Sequence, residues 1–197
     1  MWFKSAAWDS ITYWALDLET GGLDQRRDPI LAVGMVPVRA GIIRLSESFR
    51  SLVRPEEGLA IAPASVTAHH LVRSEVAAAP PLAEVLPEVE RRLREGTLLV
   101  HERAIDVGFL KRDFRRSGLR WPGPPVVDTV DLLLRAGRFR SQDHTGKKVE
   151  LNLVRARSAW GLPNYSAHDP LTDAIATAEL FLVLRQALGA KTERELR

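Results

Sequence analysis

The chain has no cysteine. That excludes disulfides, cysteine-ligated zinc and a thiol nucleophile, and it suits a reducing, cytoplasmic setting. No apolar run approaches the ~20 residues needed to span a membrane, so no membrane association is expected. The opening residues, Met1-Trp2-Phe3-Lys4-Ser5-Ala6-Ala7-Trp8-Asp9, lack a basic stretch leading into a long apolar one, which argues against a signal peptide. Internal repeats, low-complexity tracts and linker-like segments are also missing. What remains is an ordinary globular composition, 45% hydrophobic and 27% charged, in 197 residues. A chain of that size buries about 70% of its unfolded surface in one domain. The expected layout is an N-terminal extension over residues 1–12, a catalytic-sized domain over 13–189 and a short tail over 190–197.

The net charge of +3, with a pI near 9.6, is unevenly spread. Arg135, Arg138, Arg140, Lys147, Lys148, Arg155 and Arg157 are opposed only by Asp143 and Glu150. Such a segment suits a phosphate backbone, though a solvated face would look the same.

Trp14 to Glu19 reads as a strand ending at the Gly21-Gly22 turn, and Ile30–Val38 and Ile42–Phe49 read as two more, joined by Arg39-Ala40-Gly41. Helical spacing then appears over 82–94, stopped by Gly96, and over 105–116, closed by Gly118. Short apolar strands are expected at 97–100 and 126–127, a helix near 151–160, and a long final helix from Pro170 to Leu188. Segment 54–80 reads as a crossing loop with a short helix, and 138–149 as the most mobile loop. An antiparallel opening followed by strand–helix alternation defines a mixed α/β sheet flanked by helices.

Acidic residues stand where packing does not ask for them. In a strand, Asp17 and Glu19 project from one face while Leu16 and Leu18 point to the other. Two adjacent carboxylates repel, and a hard divalent cation with oxygen ligands relieves that. An exposed strand end accounts equally well for Asp-x-Glu taken alone. Asp106 falls in the first turn of a helix, where the dipole alone would favour it. Asp169 is a good N-cap and Pro170 a good first helical residue, which sets His168 and Asp173 side by side at the helix start. Four acids and one imidazole converging at one end of a sheet would equip the chain for two-metal phosphodiester hydrolysis.

Three motifs in order carry a family resemblance: Ala15-Leu16-Asp17-Leu18-Glu19-Thr20-Gly21-Gly22, extending through Pro29-Ile30 to Gly34; Val100-His101-Glu102-Arg103-Ala104-Ile105-Asp106, then Phe109-Leu110; and Ala167-His168-Asp169-Pro170-Leu171-Thr172-Asp173. From Tyr13 to Leu184 the chain resembles the DEDDh branch of the DnaQ-like 3′→5′ exonucleases, which includes the epsilon subunit of DNA polymerase III and RNase T. The resemblance implies an RNase H-like fold with a mixed five-stranded sheet. It implies two Mg²⁺ or Mn²⁺ ions held by Asp17, Glu19, Asp106 and Asp173, with His168 as general base. It implies contacts to the terminal nucleotide from Thr20, Gly21, Gly22, His70 and His101. The implied substrate is a single-stranded or frayed DNA 3′ end, in proofreading or repair, with RNA or a non-catalytic accessory module as alternatives. A polymerase subunit enters as a partner by the same resemblance, although the epsilon subunit has a longer tail than the one ending here at Arg197. Three positions depart from the family pattern: Gly21 stands for a second threonine, Glu102-Arg103 for Asn-Ala, and His70-Leu71-Val72 for His-Gly-Ile.

Overall fold

A computed structural model describes residues 5–56, 73–140, 149–165 and 168–197. Expectations placed on His70, on most of the 54–80 crossing and on 141–148 lie outside the described residues.

The strands are β1 (Tyr13–Thr20), β2 (Ile30–Arg39), β3 (Ile42–Ile43), β4 (Phe49–Leu52), β5 (Thr97–Val100) and β6 (Val126–Asp128). The helices are α1 (Arg73–Ala78), α2 (Leu82–Leu93), α3 (Arg103–Arg116), α4 (Thr129–Arg140), α5 (Leu153–Ala159) and α6 (Pro170–Leu188). All six strands form one sheet in the order β3-β2-β1-β5-β6, with β4 also on β2. β1 pairs antiparallel with β2, whereas β1, β5 and β6 run parallel.

The sheet has six strands rather than the expected five because the expected strand 42–49 is interrupted. A short 3-10 turn, Leu45–Glu47, separates β3 from β4. Ile42 and Leu45 are exposed, so no burial rewards extension there. Arg39 meets Glu47 at 2.9 Å and draws the segment into the turn.

Strand alternation divides the interior into two cores. Tyr13 and Ala15 of β1 and Val36 and Val38 of β2 pack with Ala174, Ala178 and Phe181 of α6. Trp14, Leu16 and Leu18 point the other way, onto Val85 and Leu86 of α2 and Phe109 and Leu110 of α3. Helices therefore cover both faces. At the ends of the chain, Ala7 bridges Thr192, and Trp8 packs edge-on against Phe181 with the Arg185 guanidinium over its ring. Residues 5–12 and 190–197 are thus bonded to each other and to the domain.

One close approach fixes α6 on the sheet. Gly34 lies opposite Asp17 in the β1–β2 register. A Cβ there would fall 2.1 Å from the Pro170 carbonyl carbon and 2.3 Å from the Leu171 nitrogen. These are backbone atoms at a helix start, so they cannot rotate away. We expect Gly34→Ala to cost about 2 kcal/mol, lowering Tm by roughly 4–8 °C. Thermal unfolding checks this, and a Tm unchanged within a degree would show that α6 is free to move.

Candidate active site

β1 ends in the sheet with Asp17 and Glu19 on the face covered by α6. α6 begins at that same end. The Asp169 side chain accepts from the Thr172 amide at 3.0 Å, and Pro170 is its first residue. Asp173 therefore sits in the first turn. One ligand oxygen from each of Asp17, Glu19 and Asp173 lies within 4.8 Å of the others.

Asp106 arrives from the opposite layer. β5 is parallel to β1, so the helix that follows it starts at the same end of the sheet. Asp17, Thr20, Gly22, His101 and Asp106 line one cleft of about 220 Å³. A larger cavity of about 680 Å³, between Pro29, Val53, Leu82 and Arg112, includes none of these carboxylates.

The electrostatics are those of crowding. Burial pushes the Asp17 carboxyl well above the usual carboxylate range, and Asp106, Glu19 and Asp173 push it further. Asp106 is raised by burial and then by Asp128, against amide donation from Leu18. Burial also raises Asp173, which the His168 amide opposes and Glu19 reinforces. Outside the cluster, burial of Asp169 is outweighed by the Thr172 amide and Arg50, which hold its carboxyl below the ordinary value. Arg50 Nε donates to Asp169 at 2.8 Å.

His168 stands beside Asp173, as the helix-start reading anticipates. Its backbone is left-handed (φ 75°), and its amide donates to Asp173 Oδ2 at 2.8 Å. Thr20, the last residue of β1, and Gly21, the first of the turn after it, are both buried. The Thr20 hydroxyl donates to the Gly22 carbonyl at 2.7 Å, and the Gly21 amide to the Pro29 carbonyl at 2.8 Å. His101 lines the cleft with both ring nitrogens engaged. Nε2 donates to the Leu151 carbonyl at 2.7 Å, and Nδ1 is hydrogen-bonded to the Thr129 hydroxyl at 2.7 Å.

One site residue was missed from the sequence. Asp128, at the end of β6, is buried. Its Oδ1 accepts from the amides of Glu102 and Val130 at 3.0 and 2.9 Å, and its Oδ2 from the Arg103 amide at 2.8 Å. The carboxylate thereby caps α3, whose own N-cap residue makes no side-chain cap. The only sequence signal was an acid closing a short apolar strand.

The basic segment 135–157 also changes meaning. Arg157 is 2% exposed and is spent on Glu179, Ala176 and Pro163, with its guanidinium over Tyr165. Arg135 donates to the Glu195 carbonyl. These two cations hold the fold together, so the expected phosphate-binding face cannot rest on them.

A mixed sheet covered on both faces, with carboxylates gathered at the carboxyl end of its first strand, is the RNase H-like exonuclease fold. The family model described as Exonuclease, of the RNase T type, matches residues 14–181. A DNA polymerase III subunit epsilon-like protein of Rhodobacter capsulatus is 33% identical over 185 residues, covering 93% of this chain and 25% of that protein. A PolC-type DNA polymerase III of Clostridium perfringens is 32% identical over 168 residues, covering 85% of this chain and 11% of that one. The chain thus spans a quarter or less of these two relatives. Among solved structures, the zinc-bound E. coli ExoI–ssDNA complex superposes with a TM-score of 0.76 at 16% identity, over 89% of this chain and 41% of that one. Cell-death related nuclease 4 superposes at 0.75 and 16%, over 93% and 66%. The chain belongs to the DnaQ-like exonuclease family.

Asp17 and Asp106 bind protons more tightly in the fold than in the unfolded chain. As pH rises past ~3.9 the unfolded chain releases these protons first, so the fold loses stability until the folded values are passed. In chelator, Asp17→Asn should therefore gain stability relative to the wild type between pH 4 and 7. Mn²⁺ should raise the wild-type Tm more at pH 7 than at pH 4, because it binds only the folded, deprotonated cluster. Thermal melts across pH test both, and a metal effect independent of pH would contradict the crowding.

The Glu102 backbone is left-handed (φ 77°, ψ 68°). That conformation costs an ordinary L-residue roughly 1–2 kcal/mol and suits asparagine better. Glu102→Asn should raise Tm by about 2–4 °C. A fall in Tm would mean that the glutamate side chain has a structural role of its own.

Proposed function

We propose that this chain removes nucleotides one at a time from a single-stranded or frayed DNA 3′ end, releasing nucleoside 5′-monophosphates. The observation that carries the reading is the convergence of Asp17, Glu19 and Asp173 within 4.8 Å, with Asp106 raising the charge of the same cleft. The donor set fits a hard divalent cation: it is all oxygen, multiply anionic, and held together against its own repulsion. Asp17, Glu19, Asp106 and Asp173 would hold two Mg²⁺ or Mn²⁺ ions. Such ions supply Lewis acidity at the phosphate and make a water easier to deprotonate.

The chain's own groups do the rest. His168 takes the proton of the attacking water, and the bond from its amide to Asp173 keeps it at the rim of the cluster. Its left-handed backbone, locked between the Asp169 cap and Asp173, restricts where the imidazole can go. The closed turn at Thr20, Gly21 and Gly22 offers a rigid wall to the terminal nucleotide. His101 serves that wall indirectly, by tying residue 151 to the start of α4. Support for DNA comes from the polymerase III relatives and the ExoI–ssDNA complex; proofreading or repair, beside a polymerase, is the corresponding setting.

The test is digestion of 5′-labelled single-stranded DNA and a sequence-matched RNA, with Mg²⁺, Mn²⁺ or chelator. We expect stepwise shortening of the DNA from its 3′ end, abolished by chelator and by Asp17→Asn. His168→Ala should lower kcat by about 10²–10⁴-fold, the usual worth of a general base. Full activity in Asp17→Asn purified free of host nucleases would falsify the assignment; faster loss of the RNA would reassign the substrate.

A further inference from the structure

We infer that a basic ridge formed by the loop after β1 and the exposed side of α3 binds the phosphate backbone of the substrate strand, upstream of the nucleotide being removed. The inference rests on the nuclease reading above and supplies what it lacks, a surface that grips the strand.

The loop is rigid and fastened along α3. Asp24 Oδ1 accepts from the Arg26 amide at 2.8 Å, and Asp28 Oδ2 from the Asp24 amide at 2.7 Å. Gln25 Nε2 donates to the Ala104 carbonyl at 2.6 Å, and Arg112 Nη1 to the carbonyls of Gln25 and Asp28 at 2.7 Å each. Arg116 Nη2 donates to the Arg26 carbonyl at 2.8 Å. Gly108 completes the seat, since a Cβ there would meet Gln25 Oε1 at 2.2 Å. Residues 104, 108, 112 and 116 recur every fourth position and form one stripe of the helix.

Lys111 and Arg115 flank that stripe on the side away from the buried Phe109 and Asp113, and both are exposed. Arg26 and Arg27 are exposed on the loop above them. Asp24, 3.8 Å from Arg27 and largely in solvent, is the one carboxylate paired with this group among the described residues. Five cations (Arg26, Arg27, Lys111, Arg115 and Arg116) stand against Asp24 and Asp28 of the same loop, a local excess of +3 that equals the net charge of the whole chain and attracts a phosphate backbone. Arg112 is not part of the ridge, because it is committed to Asp113 and the loop carbonyls.

The ridge begins where the chemistry is. Leu23, at the head of the loop, lines the cleft together with Ile105 and Asp106. From Asp106 to Arg116 a helix rises about 15 Å. Stacked nucleotides rise ~3.4 Å each, so this run matches about four nucleotides. Its cations sit on a fixed loop and a helix, so little ordering is needed when phosphates arrive.

The test separates grip from chemistry. Binding of a 5′-fluorescein single-stranded DNA 20-mer is followed by anisotropy in chelator, from 50 to 200 mM salt, for wild type and Lys111→Gln/Arg115→Gln. Both substitutions are at exposed helix positions that glutamine suits. We expect binding weakened about 5- to 20-fold at low salt, with the slope of log K against log[salt] shallower by about 1.4, the value for two lost contacts to a single strand. With Mg²⁺, KM for the 20-mer should rise at least fivefold more than KM for a trinucleotide. Unchanged affinity and slope, or an equal loss on both lengths, would overturn the ridge. If wild-type protein binds with the expected slope but never cleaves, the nuclease reading fails while the ridge stands.

Discussion

Repulsion among carboxylates is the constraint from which the rest of this structure is best understood. Asp17, Glu19 and Asp173 share a space less than 5 Å across, and Asp106 adds its field from the opposite layer. Left to themselves these groups would separate into water. Neighbouring strand positions, two helix starts and a glycine contact hold them together instead. Gly34 brings the backbone of α6 directly onto β2 and so sets the depth at which Asp173 enters. Asp128 fixes the first turn of α3 and so sets the entry of Asp106. Packing alone does not select an arrangement that costs stability in this way, and such crowded carboxylates concentrate at functional sites.

Helix polarity partly offsets the cost. Asp106 and Asp173 each lie in the first turn of a helix, α3 and α6, whose N-termini point toward the cleft. Each such placement stabilises a carboxylate by about 0.3–1 kcal/mol. That falls short of the desolvation and mutual repulsion that raise Asp17. The helices therefore make the cluster tolerable without neutralising it, which leaves an all-oxygen, anionic donor set of the kind that could hold divalent ions.

The sequence made some of this legible for identifiable reasons. α6 was bounded correctly because Asp169, Pro170 and Gly189 each act locally: a side-chain cap, a fixed φ and a left-handed exit at φ 63°. The shared face of Asp17 and Glu19 follows from strand alternation alone. Long-range commitments were not legible. Arg157 counts as a surface charge until Glu179, 22 residues further along and in another helix, is seen to accept from its buried guanidinium at 2.7 Å. The break between β3 and β4 depends on Arg39 reaching Glu47. Asp128 looks like any acid at a strand end until three amides from two segments converge on it.

The second motif departs from the family pattern and still leaves the start of α3 capped. Where the family carries asparagine, Glu102 adopts a left-handed backbone and makes no cap of its own. Asp128 reaches across from β6 and takes the amides of both Glu102 and Arg103. It places a further buried carboxylate close enough to raise Asp106. One carboxylate thus does two things: it orders the first turn of α3 and adds negative charge beside the cluster, which sharpens the repulsion that a bound cation would relieve.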